Sequence, residues 1–245
     1  MDISGYLTCQ RETESASGEF CMNGDEFVWR PSKDVIDNAN LTAFIRKCDV
    51  ADYKSLVSWS DENPKEFHQK LFDFIDLRFF KYPDQIVDET MGPAFAQWCK
   101  GGTTNVALNC LDKWKNTPTD GKIAIDWEGE DGTTKQLTYA EVRTQTNHLA
   151  GGLRKLGLGS GDVIAMYLPN IPEAAITLLA VAKIGGIVLP MFSGFGGDAL
   201  LARLNDSKAK AIITVDGSPR RGRAVPAKAI VDEIADQAPN LQHVI

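Results

Sequence analysis

Two hydrophobic rhythms run along this chain. Up to about residue 100, apolar side chains recur at helical spacing. Beyond residue 120, short apolar runs alternate with longer amphipathic ones. In the first part Pro31, Ser32, Lys33 and Asp34 precede Val35, Ile36, Ala39, Leu41, Phe44 and Ile45, which predicts a capped helix. Helical spacing continues over residues 52–59 and 63–80. In the second stretch Phe67, Leu71, Phe74 and Ile75 share a face, and Pro83 supplies a stop. This region reads as mainly helical, anchored by Trp29, Trp59 and Trp98, with the aromatic residues of 67–80 in a core. Residues 1–25 are polar and aperiodic and read as a loose N-terminus.

The second rhythm predicts strands at 122–127 and 135–138, joined by a Gly/Asp turn. Thr138 and Glu141 stand at capping-box spacing and open a helix stopped by Gly157. Strands then follow at 163–168, 187–192, 211–215 and 241–245. Helices separate them at 171–184, 198–207 and 225–237. Strands spaced by helices of this length imply right-handed βαβ units. The fold class is α/β: a helical N-terminal extension, then a mostly parallel sheet flanked by helices. In such sheets ligands bind at the carboxyl ends of the strands. The last strand has no closing helix after it, which fits either an interrupted domain or a strand at a sheet edge.

Composition narrows the class. Of 245 residues, 43% are hydrophobic and 24% are charged, as in an ordinary globular protein, and the net charge is −7. An acidic balance argues against general nucleic-acid binding. The most apolar run, 174–186, contains Lys183 and is too short to span a bilayer. The first residues lack a basic start and an apolar core, so no secretory signal is expected. Cys9, Cys21, Cys48, Cys99 and Cys110 form no C-x-x-C pair. They read as reduced thiols in a cytoplasmic protein, without a zinc site.

Two loops carry the candidate chemistry. Asp216-Gly217-Ser218-Pro219-Arg220-Arg221-Gly222-Arg223 follows the strand at 211–215. Its three arginines suit a phosphate, and Gly222 permits close backbone approach. A solvated basic loop would read the same way. Phe192-Ser193-Gly194-Phe195-Gly196-Gly197-Asp198 also joins a strand to a helix at that end. It reads as a ligand-facing turn, or as a plain turn with Asp198 as N-cap. Residues 157–161 resemble a dinucleotide fingerprint but run from helix to strand, the reverse of the required order. Residues 131–135 read as a hairpin turn and 101–104 as a loop. His68 is expected on a polar helical face, and His68, His148 and His243 have no evident catalytic partner in sequence. Arg203, Asp206, Lys208 and Lys210 read as a solvated surface.

Several segments together resemble the AMP-forming acyl-CoA synthetases of the acetyl-CoA synthetase type. Trp29-Arg30-Pro31-Ser32, residues 38–42, 53–59 and 63–67, and the N-x-x-x-N-C-L-D pattern of 105–112 resemble that group's helical N-terminal extension. Leu137-Thr138-Tyr139, Glu141-Val142, Gly161-Asp162-Val163 and Pro169-Asn170-Ile171-Pro172-Glu173-Ala174 resemble its opening strands and helix. The resemblance implies a flexible segment at 1–25, the extension at 26–115 and the first part of the synthetase domain at 116–245. It also implies that Phe192, Ser193 and Gly194 touch the nucleotide part of coenzyme A. Arg220 and Arg223 would meet its 3′-phosphate, with Arg221 and Gly222 between them. Ser193, where the family has glycine, would narrow the approach. Gly196-Gly197 would loosen the turn.

The implied reaction has two steps: a carboxylate and ATP give an acyl-adenylate, with Mg²⁺ on the phosphates, and coenzyme A then displaces AMP. The family's phosphate loop, its adenine and ribose contacts and its C-terminal domain with the catalytic lysine are not in these residues. The resemblance therefore implies an inactive portion of a longer ligase, completed by the remainder of the synthetase chain. Acetate or another short acid is the default substrate. No nucleic-acid or membrane partner is expected. The alternative is a non-catalytic module binding coenzyme A or a partner protein, such as half of a split synthetase.

Overall fold

The computed structural model describes residues 31–220 and 222–245. The N-terminal segment 1–25 that was expected to be loose, together with Trp29, Arg30 and Arg221, lies outside the described residues. The chain divides into two compact units, Met1–Ser58 and Trp59–Ile245.

In the first unit, helix α1 (Lys33–Asp37) is capped by Ser32, whose hydroxyl accepts from the Val35 amide at 3.4 Å. The single helix expected over this stretch is two. The Asn38 side chain donates to the Asp34 carbonyl at 2.9 Å, and Ala39 is extended, so the chain restarts as α2 (Asn40–Cys48). A side chain that competes for helix carbonyls in this way ends a helix. Helix α3 (Tyr53–Glu62) follows.

Helix α4 (Pro64–Phe74) stops six residues before the expected end at Phe80. Asp76 adopts φ of +50°, which no right-handed helix continues through, so the stop precedes Pro83. The segment beyond it is not helical. Strands β1 (Gln85–Asp88) and β2 (Gln97–Lys100) pair antiparallel, with Val87 opposite Trp98. The aromatic residues here form a half-open cluster instead of a buried core. Phe67, Phe72 and Phe79 are half-buried, and Phe80 is 70% exposed. His68 sits within this cluster and not on a polar face. Its ring lies 4.5 Å from that of Trp98, and its Nδ1 is 2.7 Å from the Pro64 carbonyl oxygen.

After α5 (Val106–Cys110), strands β3 (Ile123–Glu128) and β4 (Thr134–Thr138) form an antiparallel hairpin. The predicted capping box opens α6 (Tyr139–Lys155): the Thr138 hydroxyl accepts from the Glu141 amide, and the Glu141 carboxylate accepts from the Thr138 amide at 2.8 Å. Gly157, at φ +82°, lets the chain turn out of the helix. Then come β5 (Val163–Tyr167), α7 (Pro172–Lys183), β6 (Ile187–Pro190), α8 (Gly197–Ser207) and β7 (Ala211–Thr214). A short hairpin of β8 (Ser218–Arg220) and β9 (Arg223–Val225), α9 (Ala227–Ala235) and β10 (His243–Val244) complete the described chain.

Four strands form one parallel sheet in the order β10-β7-β5-β6. Ile164 and Ile213 point to the α6 and α7 side, where they pack on Leu153, Ala180 and Val181. Ala165, Tyr167 and Ile212 point to the α8 and α9 side, against Leu200, Leu204 and Val231. A parallel sheet needs this double cover, because its strands are apolar on both faces. Leu111, Leu137, Val142 and Ile176 seat the β3–β4 hairpin on α6 and α7.

The Arg143 guanidinium clasps Asp120, with one contact at 3.0 Å, and ties α6 to the loop before β3. That contact holds the Asp120 carboxyl below its ordinary value of 3.8. A depressed folded-state pKa gives stability that is present above the unfolded value and lost as pH falls through the folded one. Asp120→Asn should therefore lower Tm at neutral pH. The two proteins should converge in acid, once pH has dropped below the folded-state pKa. A constant difference across a thermal-melt series at stepped pH would refute this.

Candidate functional site

Parallel strands put all their carboxyl ends at one rim. After β5 the chain turns to α7 on one face. After β7 it passes through the β8–β9 hairpin to α9 on the other face. Neighbouring strands whose connections part to opposite faces leave a crevice between them, where open α/β sheets bind ligands. A cavity of about 540 Å³ lies there, lined by Asn170 after β5, Phe192 and Ser193 after β6, and Val215, Gly217 and Ser218 after β7. A second cavity of about 570 Å³ shares Gly217, Ser218 and Pro219 with the first and adds Gly222 and Arg223. The two loops singled out from sequence thus open onto adjoining space. Gly194 lies in the same exposed turn as Ser193, outside the lining of either cavity. Arg220 is located by its backbone in β8, and Arg221 lies outside the described residues.

The turn after β6 is closed by the Phe195 amide, which donates to the Phe192 carbonyl at 2.9 Å. The Phe192 ring is 56% exposed and meets Phe195 edge-on at 5.6 Å. Asp198 is not the N-cap. Gly196 holds that position, in extended conformation and without a side-chain cap, and Asp198 falls in the first turn of α8. Gly197 is closely packed, since a Cβ there would come within 3.0 Å of Ile234 Cγ2. Gly197 therefore joins α8 tightly to α9, whereas a Cβ at Gly196 would meet open space.

The arginine segment is a hairpin, not an irregular loop. Ser218 pairs with Val225 and Arg220 with Arg223 around a turn where Gly222 has φ of +74°. That conformation favours glycine. At its base Gly217 lies against the Val225 carbonyl, which a Cβ would approach to 3.1 Å.

A third wall was not legible from sequence. The Trp127 indole donates to the Asn170 carbonyl at 2.7 Å, and Lys135 pairs with Glu173 at 3.1 Å. These contacts bind the β3–β4 hairpin to the rim. Its turn, read only as a turn, places Glu130 and Asp131 in the lining of both cavities. The Thr133 amide and hydroxyl hold the Asp131 carboxyl below its usual range. The one sequence signal was Gly129, where a Cβ would come within 2.9 Å of the Trp127 ring. The site is thus charged on both sides, basic at the β8–β9 hairpin and acidic at the β3–β4 turn.

The other sequence candidates lie apart from this lining. His148 is exposed, and His243 Nε2 is 3.1 Å from the Leu156 carbonyl oxygen. Cys48, Cys99 and Cys110 are free thiols, and Cys9 and Cys21 lie outside the described residues. Among the described residues no group of three or more His, Cys, Asp or Glu side chains could hold a metal ion. No helix among them is long and apolar enough to cross a membrane. Arg203 is exposed, but it is not merely solvated: its guanidinium lies 4.2 Å from the centre of the Phe195 ring.

Fold and rim together define a doubly covered parallel α/β domain with a crevice at its strand switch point. The family model described as "AMP-binding enzyme" matches residues 111–245, and "Acetyl-coenzyme A synthetase N-terminus" matches 53–110. The acetyl-coenzyme A synthetase of Streptomyces coelicolor is 37% identical over 221 residues, covering 90% of this chain and 32% of that protein. The acetyl-coenzyme A synthetase of Deinococcus radiodurans is 40% identical over 195 residues, covering 80% and 29%. Among solved structures, the acetoacetyl-CoA synthetase from Streptomyces lividans superposes with a TM-score of 0.80 at 30% identity, covering 89% of this chain and 34% of that one. The chain belongs to the AMP-binding enzymes, in their acetyl-CoA synthetase branch. It spans about a third of the length of the relatives it matches.

Trp127→Phe keeps an aromatic ring, though a smaller one, and removes the indole donor to Asn170. It should cost about 1 kcal/mol in urea unfolding, the usual net value of one hydrogen bond. An unchanged midpoint would mean that this bond does not hold the third wall.

Proposed function

We propose that this chain forms coenzyme A-binding surface of an AMP-forming acyl-CoA synthetase. Phe192, Ser193 and Gly194 would lie against the nucleotide part of the cofactor. Arg220 and Arg223 would hold its 3′-phosphate, with Arg221 and Gly222 between them and Gly222 permitting close backbone approach. The observation that carries this reading is the adjoining of the two loops: Phe192 and Ser193 line one cavity, Gly222 and Arg223 the next, and Gly217, Ser218 and Pro219 line both.

The residues suit a phosphorylated nucleotide. An exposed aromatic ring offers a face on which a purine can stack. Guanidinium groups match phosphate with paired, charge-assisted hydrogen bonds. Arg220 and Arg223 are cross-strand partners in the hairpin. Glu130 and Asp131 line both cavities, so the hairpin arginines would be the basic groups that hold the phosphate beside an acidic wall.

In the whole enzyme a carboxylate, with acetate or another short acid as the default, would be joined to AMP from ATP, with Mg²⁺ neutralising the phosphates. Coenzyme A would then take the acyl group. The adenylation machinery would come from the remainder of the synthetase chain. No protein nucleophile is required, because positioning and charge neutralisation account for both steps. We take the setting as cytoplasmic, with neither nucleic acid nor membrane as a partner.

Isothermal titration of this chain with coenzyme A and with 3′-dephospho-coenzyme A tests the reading. Coenzyme A should bind more tightly. The double variant Arg220→Ala, Arg223→Ala should lose about tenfold for coenzyme A, the lower end for charged hydrogen bonds at an exposed site, and little for the dephospho form. With acetate and ATP the chain should release no pyrophosphate. Equal affinity for both ligands would remove the phosphate assignment, and pyrophosphate release would overturn the division of labour.

A further inference from the structure

The loop that carries Phe192 is held from two sides. From below, Tyr167 ends β5 and is 1% exposed. A buried hydroxyl is costly without a partner. This one donates to the Phe195 carbonyl at 2.9 Å, with the Ser193 carbonyl oxygen at 3.4 Å. From outside, the Arg203 guanidinium lies over the Phe195 ring at 4.2 Å, fixed by donation from Nη1 to the Ala199 carbonyl at 2.9 Å. Phe195 in turn meets Phe192 edge-on. A chain of contacts therefore runs from the core strand to the exposed ring: the Tyr167 hydroxyl, the Phe195 backbone, the Phe195 ring, the Phe192 ring.

We infer that Tyr167 and Arg203 are positioning residues for the aromatic half of the candidate site. They fix the backbone after β6 and, through Phe195, the angle at which Phe192 presents its face to a nucleotide base. This rests on the coenzyme A reading above. Neither residue lines either cavity, so neither need touch the ligand. Their influence should be blind to the 3′-phosphate, which the hairpin would hold independently. That separates positioning from charge attraction, because a cation acting on the ligand at long range would favour the phosphorylated form.

The test uses Tyr167→Phe and Arg203→Met. Titrations with coenzyme A and 3′-dephospho-coenzyme A are combined with amide hydrogen exchange over residues 193–197 and with urea unfolding. Tyr167→Phe should weaken both ligands by the same factor, about three- to tenfold for one hydrogen bond. It should speed exchange in the loop and leave the ratio of the two affinities unchanged. Arg203→Met, on the surface, should do the same more weakly, about two- to fivefold for an exposed cation–π contact. Unchanged affinity, a changed ratio, or a loss confined to the urea midpoint would overturn the inference. If the unmodified chain binds neither ligand, the coenzyme A reading fails. The exchange measurement still decides whether Tyr167 and Arg203 fix the loop, and unaltered exchange in both variants would sink that as well.

Discussion

The parallel pairing of β5 with both β6 and β7 is the constraint on which the site depends. Register sets Met166 opposite Pro190 and Tyr167 opposite Thr214, so three strands end within a residue or two of one another. Their connections must begin at one rim. Burial then decides the rest. Ile164, Ala165 and Ile212 are wholly enclosed, and such strands need helices on both faces. With two faces to cover, the connections after β5 and β7 part, and the crevice follows from that divergence.

The electrostatics of the crevice come from elements outside the sheet. The β8–β9 hairpin contributes Arg223 and the β3–β4 turn contributes Glu130 and Asp131. Each is a short antiparallel ribbon, and each has a glycine where a side chain would collide: Gly217 at one base and Gly129 beneath Trp127. A parallel sheet alone would offer only backbone and apolar side chains at this rim. Two ribbons of opposite charge therefore put acidic and basic side chains at one rim. Both ribbons lie near water, where salt at 0.1 M screens charges more than about 10 Å apart. This favours short contacts at Arg223 over a long-range field.

The βα alternation was legible because buried parallel strands are nearly continuous apolar runs, and because Thr138, Glu141, Pro172 and Gly157 mark helix ends by local chemistry. What was missed depended on distant contacts or on competition between local preferences. Gln85–Asp88 and Gln97–Lys100 are short and half polar and become strands only through each other. Asn38 broke a helix that hydrophobic spacing would have carried through. The two candidate loops were found from arginine and glycine content and from position after strands. That one was a hairpin was hidden, because Ser218–Arg220 is three residues long and contains a proline. Trp127 escaped notice because its partner, Asn170, lies far along the chain.

The two halves of the crevice owe their order to different physics, and this bears on how a ligand with unlike ends could be held. The hairpin is ordered by its own ladder and by Gly222, so its geometry is local. The turn after β6 has no ladder. Its carbonyls are satisfied by a hydroxyl that belongs to the core, and its ring is steadied by a cation from α8. A disturbance in the core packing around Tyr167 would reach the aromatic wall without reaching the arginines. A change in the hairpin turn would do the reverse. On the coenzyme A reading proposed above, recognition of a base and of a phosphate would rest on separable supports within one crevice. Substitutions could alter one preference while the other stays fixed.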